Sequence, residues 1–488
     1  MRRRLLGAAP LGLGALLLLP GAAFAQVPEP PIEESINTLW VIVAAVLVMF
    51  MQAGFAFLEI GFSRAKNAGA GVAKILTNYS IAALCYWAVG FAVAFGAGNE
   101  ILGLNGFFLD VSMTPADAAG QIPLLEVAPI SPAALLFFQF TFCAVSLAIV
   151  WGTTLERLKF SAYVIYAVIF SSVIYPLGSH WIFGGGFLQV GFLGLPGMQD
   201  FAGSTVVHLI GAAGALAALL HLGPRVGKYG PDGEPRAIPG HSMPIVGLGM
   251  LILWLGWFGF NGGSTLGIGG DRFAYVILVT NLAAAAGVIG ASLTVYLKTK
   301  SLDIGMVGNG AIAGLVGITA GSGYVEFWAA PIIGFIAGVI VVFGVLMFDR
   351  LRLDDPVGAL SAHGLAGIWG TLACGLFTSA TFAEFNAVGQ AGLFAGGGWG
   401  QLLAQAVGVV VAFLVVFTLS WLIFGLIKVT IGLRVSPEEE EAGLDIVEHG
   451  MYGYPEQFIP HAEYGAASSG PKAVGGDIKT PTKTGVPA

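Results

Sequence analysis

The chain has 488 residues, of which 56% are hydrophobic, 10% charged and 73 glycine, and its net charge is −7. A soluble chain carries about 25% charged residues, so this composition cannot supply a water-facing surface, and soluble enzymes and nucleic-acid binders are excluded. The net charge says little, because the charges are confined to loops and a C-terminal tail.

The first 25 residues read as a secretory signal peptide. Arg2, Arg3 and Arg4 precede the short apolar run Leu5–Leu19, and Ala23-Phe24-Ala25 supplies a small-x-small cleavage site. The mature chain is then expected to start near Gln26, outside the cytoplasm. Eleven apolar blocks follow, at about 36–62, 70–96, 133–154, 160–178, 201–222, 243–264, 273–297, 305–321, 327–348, 358–379 and 401–427. About 20 apolar residues cross a hydrocarbon core of about 30 Å, so the expectation is an all-α polytopic membrane protein with eleven transmembrane helices. The eighth block is the shortest and is rich in glycine. The many Gly and Ala residues suit close helix packing in lipid. Cys85, Cys143 and Cys374 sit singly inside apolar blocks, with no metal spacing and no disulfide framework. After Lys428 the chain is polar. Ser436-Pro437 followed by Glu438 to Glu441 reads as a helix start with acids in its first turn, and the Gly, Ala, Pro, Thr and Lys composition beyond about 466 predicts disorder.

Sixteen of the 21 Lys and Arg residues fall in the segments after odd-numbered blocks or in the tail. By the positive-inside rule the N-terminus is then outside and the C-terminus inside, in agreement with the signal peptide. If blocks 1–5 and 6–10 are repeats, the odd count makes the second run inverted through the membrane. Repeat one then covers about 36–222, repeat two about 243–379, and the eleventh helix about 401–427. The whole membrane domain runs over 26–431, with a cytoplasmic tail over 432–488. Block 5 opens Asp200-Phe-Ala-Gly-Ser-Thr-Val-Val-His208 and block 10 opens Asp355-Pro-Val-Gly-Ala-Leu-Ser-Ala-His363, so each places a histidine eight residues after an aspartate.

Ionisable residues within spans are expensive and are functional candidates by default. Five of the seven histidines fall in loops, at helix ends or in the tail; only His208 and His363 are deep. Eight residues put each about 12 Å from its helix start, one entering from outside and the other from inside, so both are expected near the bilayer midplane and within reach of each other. No third His, Cys or carboxylate reaches that depth, so no metal and no cofactor is expected. Neutral imidazoles offer one donor and one acceptor each. A pair can share a proton and present its other nitrogens to a small polar molecule.

At this point the chain resembles the ammonium transporters (Amt/Mep/Rh), in their Amt branch. The resemblance rests on Met51-Gln-Ala-Gly-Phe-Ala-Phe-Leu-Glu59, Arg64-Ala-Lys-Asn67, the Asp200 to His208 run, Gly256-Trp-Phe-Gly-Phe-Asn-Gly-Gly-Ser264, Asp354-Asp355-Pro and His363-Gly. In the tail it rests on Gly432-Leu-Arg-Val and Glu438 to His449. It covers about 36–455. It implies a pseudo-twofold inverted repeat, a homotrimer with one pore per subunit in the inner or plasma membrane, and ammonium or ammonia as substrate. It also implies a PII-type signalling protein as a partner at the cytoplasmic face. Carried over by position, His208 and His363 resemble the twin pore histidines, Phe142 and Phe260 the stacked gate, Ser264 the hydroxyl of the outer recruitment site and Trp257 a pore-lining residue. Asp200 resembles the aspartate that supports the recruitment vestibule, in a role compatible with a plain N-cap. Phe142 is 14 residues from Glu156 and Phe260 is 16 from Pro244, about 21 and 24 Å of helix, which sets both on the outer side of the histidines.

One position departs from the pattern. Before Gly184-Gly185-Gly186 the family usually has a tryptophan that cups the cation; here Phe183 stands there, with Trp181 two residues earlier. Phenylalanine has the weaker π face, and either ring can serve the recruitment site at this stage. Two other readings stay open: an ammonium sensor on the same fold, against which stands a tail of only about 60 residues, and a gas channel of the Rh kind, which Phe183 favours and the Gly256 to Ser264 run opposes.

Overall fold

The computed structural model describes residues 30–458. The signal-peptide segment and the tail beyond 466 lie outside the described residues. Among the described residues there is no strand, only four isolated bridges. In a bilayer the backbone must satisfy its own hydrogen bonds, which forces apolar spans into helices. The eleven helical segments are α1 (Ile32–Phe62), α2 (Ala65–Phe95), α3 (Pro132–Thr153), α4 (Phe160–Val190), α5 (Ser204–Leu222), α6 (Met243–Gly263), α7 (Gly269–Thr299), α8 (Ile304–Thr319), α9 (Ala329–Arg350), α10 (Leu360–Phe377) and α11 (Gly400–Thr430). Ten of them are long and apolar enough to span; α8, with 16 residues, is shorter.

Local chemistry explains the ends and breaks. Pro132 and Pro244 occupy first-turn positions of α3 and α6, where no intrahelical N–H is needed. Asp303 caps α8 by accepting the Met306 N–H at 2.8 Å. A π-helical turn at Phe170–Ile174 precedes Pro176 in α4, as expected where proline removes a donor. The sequence places the end of this segment at 178, but the helix runs on to Phe183 before the Gly184–Gly186 break. His180 interrupts the apolar run, yet its ring is buried and bonded to Ala94 O (2.9 Å) and Asn99 O (2.7 Å), so it does not end the helix.

The packing has an internal symmetry. The pairs α1–α3, α2–α3, α2–α4 and α3–α5 recur as α6–α8, α7–α8, α7–α9 and α8–α10, while α1 lies along α6 and α11 packs on both α5 and α10. Close approach of α6 to α1 needs glycine: a Cβ on Gly259 would stand 2.5 Å from Ala44 O. On α11, Gln401 donates to Gly197 O (3.0 Å), while Gln405 donates to Gln199 O (2.6 Å) and Thr371 O (2.9 Å) and accepts from Gln199 N (2.8 Å). These bonds fix the segment that leads into Asp200.

The tail folds back on the loops at one end of the bundle. Its helix α12 (Pro437–Ala442) starts where the sequence suggested and has a full capping box between Ser436 and Glu439. The following helix α13 (Leu444–His449) supplies Asp445, which accepts N–H bonds from Gly69 (3.0 Å) and Ala70 (2.8 Å) at the start of α2. Glu448 accepts from Phe160 N, the first residue of α4, at 2.9 Å. Glu440 accepts from Val226 N (2.7 Å) and Arg434 (2.6 Å).

Candidate functional site

Two broken helices build the centre. In the first, the oxygens of Asp200 accept four backbone N–H groups: Gly203 (2.9 Å), Ser204 (2.8 Å), Thr205 (2.9 Å) and Val206 (3.0 Å). In the second, Asp355 accepts from Gly358 (3.1 Å) and Leu360 (2.7 Å). Three residues after each aspartate the chain turns through a left-handed glycine, Gly203 at φ +120° and Gly358 at φ +75°, a conformation in which a Cβ is strained. A wide π-helical turn follows in each case, Ser204–Leu209 and Leu360–Leu365, and each carries its histidine. The shared pattern is therefore Asp-x-x-Gly-x4-His. The glycine half of it is visible in the sequence and strengthens the repeat beyond the Asp–His spacing alone.

The two turns bring His208 and His363 together from opposite ends of the bundle. Their Nδ1 atoms lie 3.2 Å apart and their rings are 5.2 Å centre to centre, 21° from parallel. His208 is fully buried, and its Nε2 has no hydrogen-bond partner. It stacks on Trp257 at 5.0 Å and on Phe260 at 5.5 Å. The Trp257 indole N–H is donated to Thr319 Oγ1 at 2.8 Å, which fixes that ring. Phe260 in turn stacks on Phe142 at 4.0 Å and 20°. His363, His208, Phe260 and Phe142 thus form one continuous line of nearly parallel rings.

A cavity of about 230 Å³ opens beyond Phe142. Phe142, Phe183, Asp200 and Ser264 all line it, with Gln139 and Tyr324. Ser264 gives its hydroxyl proton to Phe260 O at 2.9 Å, so its lone pairs remain for a donor in the cavity. Trp181 does not line it: its ring is buried and its N–H goes to Ile101 O at 2.9 Å. Burial pushes the Asp200 carboxyl up to about 6, against the pull of its four backbone donors. At the opposite, tail-side end a larger cavity of about 430 Å³ is lined by Phe62, Asn309, Asp355, Val357 and Ser361. No motif in the sequence marks this second cavity, because its walls come from separate segments.

A line of stacked rings running from a cavity to a buried histidine pair, in a bundle of apolar helices with no strand among the described residues, defines a multi-pass membrane transport protein. The chain matches the Ammonium Transporter Family over residues 39–454 and belongs to it. It is 43% identical to the ammonium transporter Amt2 of Archaeoglobus fulgidus over 437 residues, 88% of this chain and 89% of that one. With the ammonium transporter of Bacillus subtilis the identity is 33%, covering 86% of this chain and 98% of that one. Among solved structures it resembles a sensor Amt protein (TM-score 0.77, 37% identity, 86% of this chain and 99% of that one) and Mep2 of Candida albicans (TM-score 0.73, 30% identity, 86% and 90%). The chain is an ammonium transporter of the plasma membrane, a transport protein rather than an enzyme.

Proposed function

We propose that ammonium is recruited in the cavity lined by Phe142, Phe183, Asp200 and Ser264, and that ammonia then passes the Phe142–Phe260 gate to His208 and His363. The single observation that carries this reading is the unbroken line of rings from that cavity to the histidine pair. Ammonium is held by cation–π attraction to Phe142 and Phe183 and by the Ser264 lone pairs. Desolvation between the rings lowers the pKa of ammonium, favouring loss of its proton, whereas potassium has none to lose. The histidines then hand ammonia along through donor and acceptor nitrogens, with Trp257 as a wall. The deciding experiment is flux on purified protein in liposomes, ammonium against potassium. Ammonium-selective flux is expected; equal passage of potassium would dismiss the mechanism.

The same proposal includes an N-out, C-in topology, in keeping with the distribution of Lys and Arg, a signal peptide over 1–25, and inverted repeats over about 36–222 and 243–379. It also includes a homotrimer with one pore per subunit, and a cytoplasmic tail from 432 beside a docking place for a PII-type protein. The anchoring of Glu440, Asp445 and Glu448 on three loops supports a coupling role for that tail. A sensor role is the second reading, favoured by the 37% identity with the sensor Amt protein. Absence of any ammonium flux from a folded, correctly inserted protein would turn the choice toward it.

A further inference from the structure

Among the described residues, Glu59 and Lys74 are the charged side chains buried inside the long spans, at 2% and 0% exposure. Intramembrane ionisable groups mark ion or proton paths, and nothing in the pore described above uses this pair. Lys74 Nζ lies 3.6 Å above the Trp151 ring and donates to Leu158 O at 3.0 Å. Its charge faces Glu59 on one side and Glu448 of the tail on the other. Glu59 faces Lys74 and the indole N–H of Trp151, which does not close a hydrogen bond to it, and its Oε2 has no partner. The Tyr163 phenol also stands in its field. A polar ladder runs up from here: Tyr163 bonds Asn78, and Asn78 donates to Gln52 Oε1 at 2.9 Å.

Glu59 lies one helical turn from a neighbour of the histidine pair. Phe55, one turn earlier on α1, has its ring 6.3 Å from that of His363. Gly152 stands between Glu59 and the segment leading to His363. A Cβ there would be 3.2 Å from Glu59 Oε1 and 3.1 Å from Val357 Cγ2, and Val357 lines the tail-side cavity. With no side chain at 152, no methyl group fills the gap between the carboxylate and that wall.

We propose that Glu59, beside Lys74, is the proton port at the tail-side end of the pore, receiving the proton shed by ammonium so that charge crosses beside ammonia. This rests on the reading that ammonia passes the two histidines. The steps balance. One N–H bond of ammonium breaks at the gate, where the rings have stripped its water, and the proton goes to His208, whose Nε2 has no other partner. A proton leaves the coupled His363 for a water molecule, and from that water one O–H bond forms on Glu59. Glu59 then gives this proton to water in the tail-side cavity, where ammonia regains it. Lys74 is a positioning residue: its ammonium group, set over the Trp151 ring and on Leu158 O, faces the carboxylate.

The test measures charge and ammonia together on full-length protein in liposomes, as capacitive current and as internal alkalinisation. In E59Q the charge moved per ammonia is expected to fall by about 100-fold, the scale of losing a positioned proton-transfer group. E59D should recover part of it, and G152A should lower it by putting a methyl group in the gap. If E59Q leaves Lys74 unpaired and the protein does not fold, the double variant E59Q/K74M, which buries no lone charge, reads the same ratio. An unchanged ratio in the glutamine variants overturns the proposal, as does a parent chain that moves ammonia without charge. A parent chain that moves no ammonia fails the transport reading instead.

Discussion

Replacing Asp200 by Asn isolates the device that sets His208 in place. The carboxylate accepts four backbone N–H groups at 2.8–3.0 Å. An asparagine keeps one carbonyl oxygen, enough for two of them, and turns an NH2 group toward the other two, donor against donor. Hydrogen bonds to a charged partner are worth about 1.5–3 kcal/mol each, so losing two costs about 3–6 kcal/mol in a site that is buried and cannot borrow bulk water. The loss falls at the turn that carries His208, so the variant should be less stable to denaturing detergent and should lose most of its ammonium flux, while Asp200→Glu keeps part of both. Protonation likewise puts an O–H where the turn's N–H groups need an acceptor, but burial favours the neutral carboxyl, so its effect is read in flux and not in stability. With Asp200 pushed up to about 6 by burial, the parent is ionised at pH 7, and its flux at saturating ammonium should fall as pH drops through about 6. Asp355, likewise pushed up to about 6 by burial, titrates in the same window, so in Asp200→Asn the step should shrink rather than vanish. An asparagine variant with parental resistance to detergent and parental flux at pH 7 would refute the reasoning.

Replacing His208 by Ala removes the 3.2 Å contact with His363, and flux assays against potassium should show a severe loss of ammonium transport or of discrimination. Phe183→Trp restores the stronger π face in the cavity, worth about 0.5–1 kcal/mol when exposed and about 2 when desolvated; at about 1.4 kcal/mol per decade the half-saturation concentration should fall about 2- to 30-fold. Trp181→Ala should cost stability rather than affinity, because its N–H bonds Ile101 O outside the cavity. Removing 432–488 takes Glu440, Asp445 and Glu448 from their loops, and reduced or deregulated flux with normal membrane insertion is expected in vesicles. Burial alone would raise Glu156 and Asp354, but Arg225 and Arg64 hold the first below its ordinary value, and Arg157 and Arg225 hold the second well below. Their stabilisation is therefore full above the unfolded carboxyl values of about 4 and is lost as pH falls below them. Detergent-resistance curves at pH 7 and pH 3 should separate in the parent and converge in Arg225→Met.

What the sequence made legible follows from which constraints are local. Apolar length decides helices in a bilayer, so ten spans are readable without any knowledge of contacts, and His180 misplaced one end only because its bonding partners, Ala94 and Asn99, are remote in sequence. The histidine pair is readable because equal spacing from two helix starts at opposite ends of the bundle becomes equal depth. The glycines at 203 and 358 belong to the same local signal: each aspartate can gather the N–H groups that follow only if the chain reverses at a left-handed residue. The gate is different in kind. Apart from the family resemblance, nothing in a chain with 34 phenylalanines distinguishes Phe142 and Phe260, because stacking at 4.0 Å is a relation between α3 and α6. Glu59 was likewise silent: three residues from the end of α1, a carboxylate reads as an interfacial charge. Its burial depends on Lys74 from α2 and Trp151 from α3 closing over it. Depth along one helix is thus a property of the sequence, whereas enclosure between helices is a property of the fold.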